Sequence, residues 1–276
     1  MLLRNRLSLM FMAFASMTSS GGVLPMMLRK ALARNELTPY VQPIYNAQSG
    51  KLIGGEVLMR WHHPHQGNIS PERFIPLAER HGLITRITQY ALQHVAEEII
   101  ANNNINLHDM TLFFNVSAAD FKNNEILREC RAFIQKTQHA DLHIGLEITE
   151  REPVHNTSMA QGICEQLEAL GVTISIDDFG TGHSNYHYLM QFRPRYIKID
   201  KLFTADIDTD ETKEIIVRNI IALARDMHCM TIAEGVETAA QKEKLIAMDV
   251  THLQGYYFSK PVAMATFFTL AAQTPQ

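Results

Sequence analysis

Eight polar side chains sit in or directly after short apolar runs: Glu56, Asn115, Glu147, the pair Asp177-Asp178, Lys198, Glu234 and Gln254. From Asn115 onward they recur every 20 to 36 residues, in contexts such as FFNVS, LEITE, SIDDFG, YIKID and AEGVE. Strands that deliver them to one place would gather five carboxylates. Partly buried like charges at close range either take up protons or require counter-charge, and metal ions supply it. The donors are carboxylate and amide oxygens, with no thiolate or histidine among them, which favours Mg²⁺ or Mn²⁺ over Zn²⁺. Two divalent ions carry +4 against the −5 of Glu56, Glu147, Asp177, Asp178 and Glu234, and the single charge of Lys198 brings the sum to zero. A near-neutral site of this kind accepts an anion. Two ions about 3.5–4 Å apart polarise a phosphoryl oxygen and activate the attacking water, so the chemistry expected is hydrolysis of a phosphodiester. Neighbouring strand residues face opposite sides, so Asp177 and Asp178 can both reach metal only if their strand stops, and Phe179-Gly180 is expected to stop it.

Residues of this kind need a scaffold that presents strand ends on one rim. Runs rich in Val, Ile, Phe and Tyr predict eight strands: Tyr40–Tyr45, Gly54–Trp61, Thr111–Val116, His143–Thr149, Val172–Asp177, Tyr196–Asp200, Cys229–Ala233 and Val250–Gly255. Helical spacing lies between them. Ile84, Ile87, Ala91, Val95 and Ile99 share one face, as do Ile216, Ile220, Leu223 and Met227 within Lys213 to Met227. Alternation of strand and helix implies parallel pairing with crossovers, and eight units over the residues from Met27 fit a TIM-like (β/α)8 barrel of one domain. A doubly wound open sheet is the runner-up, weakened by the lack of a glycine-rich phosphate turn after the first strand.

Composition sets the outer limits. The chain has 276 residues, 46% apolar and 20% charged, with a net charge of −4, which describes an ordinary globular protein rather than a disordered one. The slight negative balance argues against a grip on polymeric nucleic acid, which needs clustered Lys and Arg. Cys130, Cys164 and Cys229 form no CxxC pair and read as buried thiols in a reducing compartment. His62, His63 and His65 crowd one loop, but Pro64 breaks the run and no second histidine cluster supports a metal site there. Residues 1–25 stand apart: Arg4 and Arg6 precede the apolar run Leu7–Met17, which is too short to span a bilayer at about 20 residues. It reads as an apolar leader or membrane-proximal remnant, with a secretory signal as the alternative. Residues 26–276 form the expected domain.

These residues also carry a resemblance. The ordered motifs Tyr40-Val-Gln-Pro-Ile44, Gly55-Glu-Val-Leu-Met-Arg-Trp61, Asn115-Val-Ser117, Glu147-Ile-Thr-Glu150, Asp177-Asp-Phe-Gly-Thr-Gly182, Lys198-Ile-Asp200, Glu234-Gly-Val-Glu237 and Gln254-Gly-Tyr256 resemble the EAL-domain family over about Met27 to Thr269. The resemblance implies a cyclic di-GMP phosphodiesterase that uses Mg²⁺ or Mn²⁺, two per active site, to linearise the dinucleotide to 5′-pGpG. It implies that Glu56, Asn115, Glu147 and Asp177 bind one ion, and that Asp177, Asp178 and Glu234 bind the other. Lys198 would hold the nucleophilic water and Gln254 would help position the cluster. Gln42, Arg60 and Glu237 would lie against the substrate, Arg60 by pairing its planar guanidinium with a phosphate oxygen. Glu150 and Glu237 would orient loops and metal-binding groups. The family further implies a homodimer in the cytoplasm, with the apolar N-terminal run offering a contact to the inner face of the membrane.

Three departures stand out. The signature triplet reads Glu56-Val57-Leu58, with Val57 where alanine is usual; strand alternation points Val57 outward, under the helix layer, which makes the change one of packing. His183-Ser184-Asn185-Tyr186 replaces the usual Tyr-Ser-Ser-Leu in a loop that the family links to dimerisation and to the second metal. Arg195 stands where an acidic residue is usual, and nothing in the sequence explains it. The alternative function is a catalytically silent receptor for the dinucleotide or a protein partner. Silent relatives typically lose the acidic set, and here it is intact.

Overall fold

A computed structural model describes residues 23–102, 105, 107–149, 157–181 and 185–273. The apolar run before Val23, Glu150 and His183 therefore lie outside the described residues. Contacts divide the chain into two compact units: Met1–Thr38 with Met59–Ile87, and Pro39–Leu58 with Thr88–Gln276.

Among the described residues ten strands occur in chain order: β1 (Leu37–Asn46), β2 (Leu52–His63), β3 (Gly67–Ile69), β4 (Thr111–Val116), β5 (His143–Thr149), β6 (Thr173–Phe179), β7 (Tyr196–Ile199), β8 (Met230–Ala233), β9 (His252–Gln254) and β10 (Val262–Ala263). The helices are α1 (Val23–Ala33), α2 (Pro71–Arg80), α3 (Ile84–Ala101), α4 (Glu125–Thr137), α5 (Thr157–Ala169), α6 (Asn185–Phe192), α7 (Lys201–Thr204), α8 (Glu211–Asp226), α9 (Ala239–Ala247) and α10 (Met264–Gln273).

The sheet order β10-β1-β9-β8-β7-β6-β5-β4-β2-β3, closed by pairing of β1 with β2, makes a ring of eight strands. All eight expected strands are in it. From β2 round to β9 the neighbours are parallel, for example Asn115 beside Glu147 and Lys198 beside Ile232. The expectation of uniform parallel pairing fails at β1, which runs antiparallel to β9 with Ile44 opposite Gln254. Its cause is local. Only residues 47–51 join β1 to β2, far fewer than the dozen or so that a parallel crossover needs. Asn46 Oδ1 accepts from the amides of Gln48 (3.1 Å) and Ser49 (2.8 Å), which folds the link into a tight turn.

Side chains alternate along each strand, so the residue two positions below each rim group also faces the barrel axis. Below the rim, Ile44, Phe113, Tyr196 and Ile232 form one buried apolar cluster. The Phe113 and Tyr196 rings meet edge to face at 5.1 Å. Phe113 fits because the facing position is Gly145, where a Cβ would lie 2.3 Å from the Phe113 ring. Gly54 is forced differently: its φ is +146° and a Cβ would sit 1.9 Å from the Thr111 carbonyl oxygen. Val57 is buried, as a residue under the helices should be.

The α3 face of Ile87, Ala91, Val95 and Ile99 is buried as expected. On α8 the buried face is instead Val217, Ile220, Ile221 and Ala224, one position round from the expected stripe, and Met227 lies exposed beyond the helix end. The sequence EIIVRNIIALA is apolar over more than one face, so periodicity alone could not centre the stripe.

Within the first unit, α1 and α2 pack together. The outer end of β2 forms a hairpin with β3, and the buried Trp61 donates to Glu36 at 3.2 Å. In that hairpin His63 Nδ1 accepts from the amides of His65 and Gln66, both at 3.1 Å, so the histidine run is turn architecture. All three cysteines are free thiols, and burial pushes Cys130 and Cys164 up to about 12, which makes them inert. Among the described residues, no helix is long and apolar enough to cross a membrane.

The close approach at Gly54 is testable. Gly54→Ala should cost about 3 kcal/mol in urea unfolding, because the Thr111 backbone has to move. An unchanged midpoint would mean that the two strands are not held this close.

Candidate metal centre

The C-terminal ends of the parallel strands bring the predicted rim residues together around Lys198. Its Nζ lies 3.2 Å from Glu56 Oε2, 2.9 Å from Glu147 Oε2, 3.2 Å from Asp177 Oδ1 and 2.6 Å from Glu234 Oε1. Lys198 and Glu147 are both 0% exposed. Glu56 is the best-anchored acid: Asn115 Nδ2 donates to its Oε1 at 2.8 Å, and Gln254 Nε2 donates to its Oε2 at 2.8 Å. Gln254 Nε2 also reaches Gln42 Oε1 at 3.3 Å, and Gln42 Nε2 donates to the Ser259 carbonyl at 3.3 Å.

The two aspartates reach the site by a device the sequence does not signal. Strand β6 does not stop before Phe179; its pairing with β7 shifts register between Ile176 and Phe179, and Asp178 takes a left-handed φ of 53°. A bulge of this sort re-aims side chains that simple alternation would separate. The Asp178 amide donates to Asp177 Oδ1 at 2.9 Å. Carboxylate oxygens of Asp177, Asp178 and Glu234 lie within 4.8 Å of one another, the only such group of three possible ligands among the described residues. Glu234 follows β8 directly, and its carbonyl accepts from Thr204 Oγ1. Gly235 then turns the chain at a φ of +65°, where a Cβ would come within 2.5 Å of the Lys201 Cβ.

The other predicted residues are less central. Glu237 is exposed, and its amide donates to Gln241 Oε1 at 2.8 Å at the start of α9. Arg60 belongs to the first compact unit, where Nη1 donates to the Met59 carbonyl at 3.1 Å. Ser175, two positions before Asp177, is fully buried and its Oγ has no hydrogen-bond partner. A cavity of about 860 Å³ is distinct from the site. It lies at the opposite end, lined by the strand starts Thr111, His143, Thr173, Tyr196, Met230 and His252. Arg195 lines that cavity as well, and nothing in the structure explains the substitution there.

Charge is under-compensated at the rim. Burial would lower the Lys198 ammonium, but Asp177, Glu147, Glu234 and Glu56 overcome it and hold the group well above the usual lysine range. Burial raises Glu56, yet Lys198 and the donors Gln254 and Asn115 bring it below its ordinary value. Burial pushes Glu147 well up, and pushes Glu234 up to about 8, with the neighbouring carboxylates adding to both and Lys198 opposing. Lys198 Nζ approaches Glu147 Oε2 to 2.9 Å, yet neither Glu147 oxygen has a partner in hydrogen-bonding geometry. A buried, unbonded carboxylate beside three others, all hard oxygen donors, fits divalent cations of the Mg²⁺ class.

Residues 26–261 match the EAL domain. The chain belongs to the EAL domain family. It is 39% identical over 240 residues to the cyclic di-GMP phosphodiesterase PdeL of Escherichia coli (strain K12), covering 87% of this chain and 66% of that protein. To the probable cyclic di-GMP phosphodiesterase PdeG of the same organism it is 37% identical over 252 residues, covering 90% of this chain and 49% of that one. The chain thus spans less than two thirds of either relative. A solved structure of the PaMucR phosphodiesterase in complex with c-di-GMP superposes with a TM-score of 0.78 at 35% identity, covering 88% of this chain and 99% of that one. The TIM-like barrel is the EAL fold, and the rim described above lies within the matched region.

The raised carboxyl of Glu234 carries a sign. A folded-state value of about 8 against an ordinary 4.5 favours the protonated fold, so its contribution is complete below pH 4.5 and is lost as pH rises through 8. In chelator, the melting temperature should fall between pH 5 and 8.5, and Glu234→Gln should flatten that slope. A slope unchanged in the variant would assign the titration elsewhere.

Proposed function

We propose that this chain hydrolyses cyclic di-GMP to linear 5′-pGpG, using Mg²⁺ or Mn²⁺ at the EAL rim. The observation that carries the reading is the convergence of Glu56, Glu147, Asp177 and Glu234 within 3.2 Å of one buried ammonium, in a chain whose relatives PdeL and PaMucR bear the phosphodiesterase name. In this reading Glu56, Asn115, Glu147 and Asp177 hold one ion, and Asp177, Asp178 and Glu234 hold the other. Bound there, the ions supply Lewis acidity at the phosphoryl group and lower the pKa of water.

The remaining work falls to the chain itself. Lys198 donates a hydrogen bond to the attacking water and fixes its approach to phosphorus. Gln254 holds Glu56 in orientation through its 2.8 Å bond, and Gln42 is held in turn by Gln254 and Ser259 at the edge where substrate enters. Attack forms one P–O bond and breaks the bond from phosphorus to the ribose 3′ oxygen, which leaves with a proton. An exposed apolar pair on α6, Tyr186 and Met190 at 70% each, supports the homodimer, and the free thiols support a reducing compartment.

Incubation of the purified chain with cyclic di-GMP and Mn²⁺ or Mg²⁺, with and without chelator, followed by chromatography, tests the reading. Linear pGpG should appear only with metal. Glu56→Ala and Asp177→Ala should each lower kcat by about 10³-fold or more, while Lys198→Ala should lower kcat with little change in KM. Binding of the dinucleotide without turnover under any metal would make the chain a receptor instead.

A further inference from the structure

Lys198 holds more charge than one ammonium can satisfy. It has three protons, and four carboxylates approach its Nζ at 2.6 to 3.2 Å. Fully ionised, four carboxylates against one ammonium would carry a net −3 in a region where Lys198 and Glu147 have no solvent exposure, and the upward push on Glu147 and Glu234 is the mark of that excess. Water cannot screen the excess there, so every added or removed cation is felt strongly. The apolar layer of Ile44, Phe113, Tyr196 and Ile232 closes the barrel beneath the cluster. Tyr196 also anchors the strand that carries Lys198 two positions on, so the lysine stem rises from a fixed base. Four of the six residues placed to receive the ions are ones its ammonium already contacts.

We propose that the Lys198 ammonium and divalent cations compete for the same carboxylates, so that Lys198 sets the metal affinity of the centre and supplies the charge compensation that keeps the barrel folded when metal is withdrawn. This goes beyond a role on the attacking water and rests on the metal-centre reading above. Cation exchange at one carboxylate set links the two functions. A +1 charge close to the ions weakens their binding, and the same charge neutralises part of the cluster without them. The four contacting acids, Glu56, Glu147, Asp177 and Glu234, come from four different strands or strand ends, so loss of the shared cation loosens β2, β5, β6 and β8 together.

The test uses no activity readout. Mn²⁺ binding to the full chain is measured from the paramagnetic signal of free Mn²⁺, and melting temperature is measured in chelator. Lys198→Met should bind Mn²⁺ on the order of tenfold more tightly than the parent and, in chelator, melt about 10 °C lower, with Mn²⁺ restoring the loss. Lys198→Met combined with Glu147→Gln removes one charge of each sign and should recover much of the melting temperature in chelator. Unchanged or weaker Mn²⁺ binding by Lys198→Met, or an undiminished melting temperature in chelator, overturns the proposal. If the parent binds no Mn²⁺ at all, the metal-centre reading fails and takes the competition with it, while the chelator melts still decide the compensating role. Should Lys198→Met not fold, the double variant decides: a folded double variant supports charge compensation, and one that also fails to fold overturns it.

Discussion

A single buried ammonium within reach of four carboxylates is the interaction on which this structure turns. Lys198 draws Glu56, Glu147, Asp177 and Glu234 to one point, and those acids arrive from five different strands or strand ends when the lysine's own β7 is counted. Repulsion among them is the cost of gathering hard oxygen donors in a dry place. Its signature is the upward push on Glu147 and Glu234, set against the downward pull on Glu56, the one acid with two amide donors. Position within the cluster, rather than residue type, decides which acids stay easily ionised.

The scaffold makes that gathering possible by keeping chemistry and packing in separate layers. Polar groups occupy the rim, and the next inward layer is filled by Phe113, Tyr196, Ile44 and Ile232. Large and small residues complement one another there, as Phe113 against Gly145 shows. A rigid floor of this sort limits how far the rim side chains can move when charge changes above it.

Much of this was legible in the sequence. Eight apolar runs became eight strands because β-branched and aromatic residues cluster only where a barrel wall buries both faces. The rim acids were legible as a set: a lone acid at a strand end is commonly solvated or caps the next helix, but polar groups recurring every 20 to 36 residues at successive strand ends mark one rim. What remained hidden depended on non-local geometry. The antiparallel first strand was disguised by its strand-like composition, and only the five-residue link betrayed it. The bulge that turns Asp177 and Asp178 to one side is invisible to a period-two reading, since it resides in a register shift against β7. The buried face of α8 was blurred by apolar residues on both flanks of the stripe.

Closure of the ring has a consequence for biosynthesis. The antiparallel β1 takes β9 as its neighbour, and Glu56 takes one of its two amide donors from Gln254, 198 positions away. Until the last strand leaves the ribosome, the nascent wall has two raw edges and Glu56 lacks one of its two amide donors. A chain truncated before His252 would carry nearly all of the acidic groups yet neither a sealed wall nor the second amide donor to Glu56. Long-range stitching of this kind makes completeness of translation a precondition for assembling the rim.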